Sequence, residues 1–380
     1  MLKGTMRNFG EMTLHIRQFL LISLLVLSVL IPMSVKAQRR LVLIDQDGSG
    51  PGDSNQMSMM VLLQSHDVEV LGITIVTGDA WRDEEVQHTL RMLELIGRSD
   101  VPVVPGAVFP LVRTQEETRL AMQQFGKPAW LGAWGEQTTD LALPVGGVIA
   151  ANAVHGPWEI PPLREGSPRT QPMAEDAPHF LIRQVHAHPK QVTIYAAGPL
   201  TNIALAIAID PMFAELTRGI VIMGGSLNPQ TDDPEFAMNP RHEFNFWFDP
   251  EATHIVLRAH WPRIDVTTVD ISIKTMFTQK MFDEISQSPS AAAKYIAKYA
   301  NERYYLWDEL AACAWLDPSI ITKVSDVYMD VDLSRGPNYG HTLTWIEKLK
   351  PTTDVQLVHA QIDVDLPKFT KMFVGLMSAP

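Results

Sequence analysis

The sequence predicts an α/β fold, an open and mostly parallel sheet flanked by helices in a single large domain, and two observations carry this expectation. First, LVLID (41–45), VEVLGITIV (68–76), VTIYAA (192–197) and GIVIMGG (219–225) are apolar on consecutive residues. Parallel strands covered on both faces read this way. Second, helical patterns alternate with these runs: SNQMSMMVLLQS, DEEVQHTLRMLELIGR, APHFLIRQVHAHP and PLTNIALAIAID. In such a sheet, ligands bind outside the carboxyl ends of the strands.

Taken in chain order, residues 1–37 have the plan of a secretory signal. Lys3, Arg7 and Arg17 precede the apolar run FLLISLLVLSVLIPM, and Val35 and Ala37 stand at cleavage-compatible positions. The run is short for a membrane span. The expectation is therefore a periplasmic or secreted domain over residues 38–380, with no membrane association after cleavage. Losing residues 1–37 removes four basic and one acidic residue, so the formal charge of −12 becomes −15. So acidic a chain disfavours nucleic acid as a partner. The single Cys313 cannot form an intramolecular disulfide, so stability must come from the core.

The first strand runs into Asp45, Asp47 and Asp53 with three glycines among them, and Asn55 follows. Asp, Gly, Ser and Pro make ordinary turns. Crowded hard oxygen donors are most simply tolerated around a cation such as Ca2+. A phosphate loop would need Lys or free N–H groups instead, and this loop would repel phosphate. Further along, residues 133–173 are rich in Gly and Pro and read as a lid, a binding loop or an inert surface excursion. Residues 275–304 read as one long helix, and the tail from Val324 returns to strand patterns before the amphipathic LPKFTKMFVGLM.

Four more stretches bear on chemistry. Asp79 lies just past the second strand, where it also suits a helix N-cap. AAGPLTNIALA (196–206) places a Gly-Pro turn at a strand end, and HEFNFWFDPEAT (242–253) carries Glu243 and Asn245 on alternate residues, hence on one face of an extended segment. LWDELAACAWLDPSIIT (306–322) presents Asp308 beside a small-residue helix.

With these pieces in this order, the chain resembles the inosine-uridine-preferring nucleoside hydrolase family across nearly all of residues 38–380. The resemblance implies a small-molecule nucleoside as substrate and Ca2+ as cofactor. It assigns Asp47 to the calcium and the attacking water, Asp308 to a second calcium ligand and catalytic position, and the carbonyl of Ala197 to a backbone ligand. Glu243 and Asn245 match ribose-binding residues, and Asn239 a further one. Asp79 stands where the family has a ribose-binding Asn. The loop is longer than the family's and lacks its paired Asp, so either Asp53 or Asn55 takes the remaining metal position; Asp53 is a substrate-binding candidate as well. Trp307 replaces a His that assists the leaving base, which makes it a stacking candidate alongside Trp158 and leaves His155 and His242 as candidate acids. Without that His, a purine is favoured over a pyrimidine. The competing readings are an exported ribose- or nucleoside-binding protein with a degenerate metal site and a phosphatase-like hydrolase. A homo-oligomer stays open.

Overall fold

The computed structural model describes residues 39–135, 155–300 and 304–380. The expected signal segment 1–37 lies outside them, as do residues 136–154 of the Gly- and Pro-rich insertion. The described strands are β1 (Arg40–Gln46), β2 (Val68–Ile75), β3 (Val103–Pro105), β4 (Val192–Ala196), β5 (Gly219–Met223), β6 (Ile264–Thr267), β7 (Ile321–Val331), β8 (Thr342–Trp345) and β9 (Leu357–Val364). They form one sheet in the order β3-β2-β1-β4-β5-β6-β9-β7-β8. From β3 through β9 every neighbouring pair is parallel, while β7 runs antiparallel to both β9 and β8.

Alternate residues of β1 feed opposite faces of the sheet, as the two-residue period of a strand requires. Val42 and Ile44 join a core with Met57, Met60 and Leu310, whereas Leu41 and Leu43 join one with Phe180 and Ile203. The helix Ser54–Gln64 is buried along nearly its whole length and packs on the helix Trp307–Leu316. The small residues Ala311, Ala312 and Ala314 permit this approach, and Cys313 is buried among them. No described helix is long and apolar enough to cross a membrane.

Two local expectations are corrected. The stretch expected as one long helix over 275–304 holds, among its described residues, two helices, Gln279–Ser286 and Ala291–Tyr299, because Pro289 cannot continue the first and Ser290 caps the second, accepting from Ala293 N. Glu243 and Asn245 do not alternate along one extended segment. The Glu243 carboxylate caps a short helix, Phe244–Phe248, which places Asn245 inside its first turn.

The described part of the insertion after His155 is irregular and held by side chains. His155 Nε2 pairs with Glu84 Oε2 at 2.9 Å, Glu165 with His88, and Arg164 donates to the carbonyl of Pro51 at 3.0 Å. Here the segment buttresses the Gly-rich loop after β1.

Candidate active site

The carboxyl ends of β1, β2, β4 and β5 converge where the strand order turns back beside β1. β1 itself delivers Asp45, Gln46 and Asp47. Asp45 has a structural role: its Oδ1 accepts from Thr74 Oγ1 at 2.5 Å and Asn202 Nδ2 at 2.8 Å, tying β1 and β2 to the helix Thr201–Ile209 that follows β4. Burial pushes its carboxyl up to about 7.

Asp47 is nearly inaccessible. Its Oδ1 accepts from Asn55 Nδ2 at 2.6 Å and its Oδ2 from the Asp79 N–H at 3.1 Å. Two glycines make room for it, since a Cβ at Gly78 would lie 2.0 Å from Asp47 Oδ2 and one at Gly198 would lie 2.9 Å from Oδ1. Burial, then the charges of Asp79, Glu85 and Asp308, hold its carboxyl well above the usual range.

Asp308 enters from the first turn of Trp307–Leu316, where the helix N-terminus favours a carboxylate. Gln46 joins the two acids. Its Nε2 donates to Asp308 Oδ2 at 3.1 Å, and its Oε1 accepts from the Asp47 N–H at 2.9 Å. Sequence reasoning missed Gln46, although its place between Asp45 and Asp47 at a strand end was the available signal. Burial raises Asp308 well above the ordinary carboxylate range, against the Gln46 hydrogen bond, and Asp79 adds to the rise.

The two loop candidates separate. Asp53 is the N-cap of Ser54–Gln64, with Oδ1 accepting from Gln56 N at 2.8 Å and Oδ2 from Ser49 Oγ at 2.8 Å and Gly50 N at 2.9 Å. Asn55, the second residue of that helix, points at Asp47. Ala197 lies just past β4, with its N–H donated to the Asp45 carbonyl at 3.0 Å.

Asp79 is not a helix cap; Trp81 flanks the helix Arg82–Leu95, and Asp79 Oδ1 instead accepts from Trp130 Nε1 at 2.5 Å. Burial raises Asp79 to about 6, against hydrogen bonds from Trp130 and Asn55. Glu243 accepts from the N–H groups of Asn245, Phe246 and Gly225 at 2.8, 3.0 and 3.0 Å, yet burial still lifts it to about 7. Asn245 Nδ2 donates to the Met223 carbonyl at 3.2 Å, and Asn239 is the half-buried C-cap of the helix Pro234–Met238. Trp307 is half-buried, edge-on to Phe236 (5.6 Å) and Tyr305 (5.0 Å).

Of the candidate acids, His242 is buried beside Trp247 and His341, and burial drives it down to about 3, so it is neutral at physiological pH. His155 is engaged by Glu84. Trp158 is largely exposed, edge-on to Phe109.

Among the described residues no Lys or Arg enters the hydrogen bonds of Asp47, Asp79, Asp308 or Glu243. Such a patch calls for a cation. Among the described residues no three His, Cys, Asp or Glu side chains are grouped to share one ion. The hard donors that could hold one are the carboxylates of Asp47 and Asp308 and the neutral oxygens of Asn55 and Ala197. A half-turn of the Asn55 amide presents Oδ1 in place of Nδ2. Hard oxygen donors of this kind suit Ca2+ or Mg2+ rather than a thiophilic metal.

The model of the inosine-uridine preferring nucleoside hydrolase family matches residues 42–371. The chain belongs to that family. Nucleoside hydrolases are N-glycosyl hydrolases that act on small nucleosides and use a metal ion. Among relatives of this nucleoside hydrolase, "uridine nucleosidase 1" of Arabidopsis thaliana is 32% identical over 316 residues, 80% of this chain and 81% of the relative. The "probable uridine nucleosidase 2" of the same plant is 27% identical over 355 residues, 88% and 97% of the two chains. A solved plant nucleoside hydrolase is 25% identical and superposes with a TM-score of 0.68, covering 90% of this chain and 99% of its own. A purine-preferring ribonucleoside hydrolase from Gardnerella vaginalis has the same fold, with a TM-score of 0.68 at 22% identity and coverage of 89% and 98%.

Proposed function

We propose that this nucleoside hydrolase cleaves the N-glycosidic bond of ribonucleosides, releasing ribose and free base, with Ca2+ as its ion. The observation that carries the reading is the pairing of Asp47 and Asp308 through Gln46 at the carboxyl end of β1, with Asn55 hydrogen-bonded to Asp47; the Ala197 carbonyl, just past β4, is the fourth donor of the proposal. Bound by these four residues, calcium would supply a Lewis acid for the ribose diol and the attacking water.

The chain's own groups do the rest. Asp47 accepts a proton as the water oxygen bonds to C1′ and the C1′–N bond breaks, and its position beside Asn55 and the Asp79 N–H fixes the direction of that transfer. Positive charge spreads over the sugar in this oxocarbenium-like state. Asp79 and Glu243, which pair with no basic side chain among the described residues, stabilise that charge more than they stabilise the neutral substrate. Asn239, Glu243 and Asn245 orient the sugar, and Asp79 binds a ribose hydroxyl. Trp307 offers a ring face to the base but no proton, so the base must be protonated elsewhere. That points to purines. The relatives named for uridine point the other way, which makes uridine the comparison that tests this preference. Residues 1–37 complete the reading as a signal that exports the domain 38–380 to the periplasm or medium.

The test is release of reducing sugar from inosine, adenosine, guanosine, uridine and cytidine, with calcium and with chelator. Calcium-dependent release, fastest on a purine, is the expected result. Tight ribose binding without release would favour the binding-protein alternative, and undiminished release in chelator would remove calcium from the scheme.

A further inference from the structure

Trp130 belongs to none of the motifs that mark the site, yet it makes the shortest hydrogen bond to Asp79, Nε1 to Oδ1 at 2.5 Å. Building on the ribonucleoside reading above, we propose that Trp130 is a positioning residue. Its indole N–H holds one oxygen of Asp79 and thereby aims the other at a ribose hydroxyl.

The need for such a group follows from the neighbours of Asp79. Its own N–H donates to Asp47 Oδ2, so two carboxylates sit side by side, and the Asn55 amide hydrogen-bonds to both. Repulsion would turn Asp79 away from Asp47. An outer donor opposes that rotation, and indole suits the task because it donates only and does not titrate. A charge-assisted bond to one carboxylate oxygen also fixes the plane of the group and leaves the second oxygen in a defined place.

Trp130 is itself held firmly. The turn after it docks on the strand-end loop that carries Asp79, where the Ala133 N–H donates to the Gly78 carbonyl at 2.9 Å. Gly132 takes a positive φ of 55° in that turn, and a Cβ there would lie 2.1 Å from the Gly78 oxygen and 2.5 Å from Phe244 Cζ. Trp134 closes the turn against Phe248, with ring centroids 4.4 Å apart. Phe244 and Phe248 lie on the helix capped by Glu243. One turn therefore ties the Asp79 loop to the helix capped by the other ribose-contacting acid.

The experiment uses the calcium-loaded full chain and its Trp130→Phe variant, which keeps a ring and removes the N–H. KM on the best nucleoside and the Kd for D-ribose are expected to rise about tenfold, the scale of one charge-assisted hydrogen bond. kcat should stay within about threefold, and Tm and the calcium midpoint should not move, a split that loss of structure would not give. In the Phe background, Asp79→Asn should cost at least about fivefold less in ribose affinity than in wild type, because the two side chains act as a pair. Should the Phe variant fold poorly, benzothienylalanine at position 130 replaces only the N–H by sulfur, and the same changes are expected. Unchanged KM and ribose affinity, or an Asp79→Asn cost equal in both backgrounds, would overturn the assignment while leaving the hydrolase reading intact. A wild type that neither cleaves nucleosides nor binds ribose would overturn the hydrolase reading and this assignment with it.

Discussion

Asp47 accepts hydrogen bonds at both oxygens and still has lone pairs left for a ligand, whereas both Asp53 oxygens are engaged in shaping the loop. This difference sets two predictions. Asp47→Asn keeps the shape but removes the proton acceptor, so turnover should fall at least about a hundredfold with Tm nearly unchanged. Asp53→Ala should lower unfolding free energy by about 1 kcal/mol in a urea titration, the usual cost of a lost N-cap, and leave calcium affinity in place. Asn55→Ala should weaken calcium binding by calorimetry, and Asn55→Asp should strengthen it through the added charge. At this scale the sequence announced Asp47 and Asp308 through their motifs. It left Asp53 and Asn55 open because the loop is longer than the family's and lacks its paired Asp, so the register from β1 onto the helix could be drawn through either residue. Trp130 was invisible because its partner is 51 positions away and on another loop.

Strand and helix patterns translated well where burial was uniform, as for β1, β4 and β5, since a run buried on both faces leaves no competing period. The failures came where one side chain redirects the backbone. Glu243 starts a helix in a segment whose alternation reads as extended, and Pro289 with Ser290 divides a segment whose mixed charge reads as continuous. The element most sensitive to substitution is the turn after β2. Gly78→Ala would bring a Cβ to 2.7 Å from Pro199 Cδ as well as against Asp47 Oδ2, so neither neighbour can yield without moving the site. The expected result is a fall in kcat/KM of about a hundredfold, the scale of an ångström-level misplacement, with an unchanged far-UV spectrum.

Across the whole molecule, β1, β2, β4 and β5 were legible and so was the return to strands from Val324, whereas the short β3 and β6 and the antiparallel pairing of β7 and β8 were not, because three- and four-residue runs and the order of strands in a sheet leave no local pattern. The site sits at the reversal of strand order beside β1, as the fold class requires. Its buried acids have a global consequence. Asp45 and Glu243 are raised by burial from ordinary carboxylate values to about 7. The folded chain thus holds more protons than the unfolded chain between about pH 4 and 7, and stability falls as pH rises through that window. His88 acts in the same direction at higher pH: burial lowers it, but Glu165 and Glu84 prevail and lift it to about 9, so its contribution is lost as pH rises from about 6.5 through 9. Thermal melts in chelator should therefore give a higher Tm at pH 5 than at pH 8, and added calcium should raise Tm more at pH 8. The helix that brings Asp308 into the site also carries Cys313, buried in the core. A thiol reagent can reach that sulfur only when the helix parts from its neighbours, so the protein contains its own chemical clock for opening at the catalytic centre. Labelling timed by mass spectrometry should slow when nucleoside or ribose is bound.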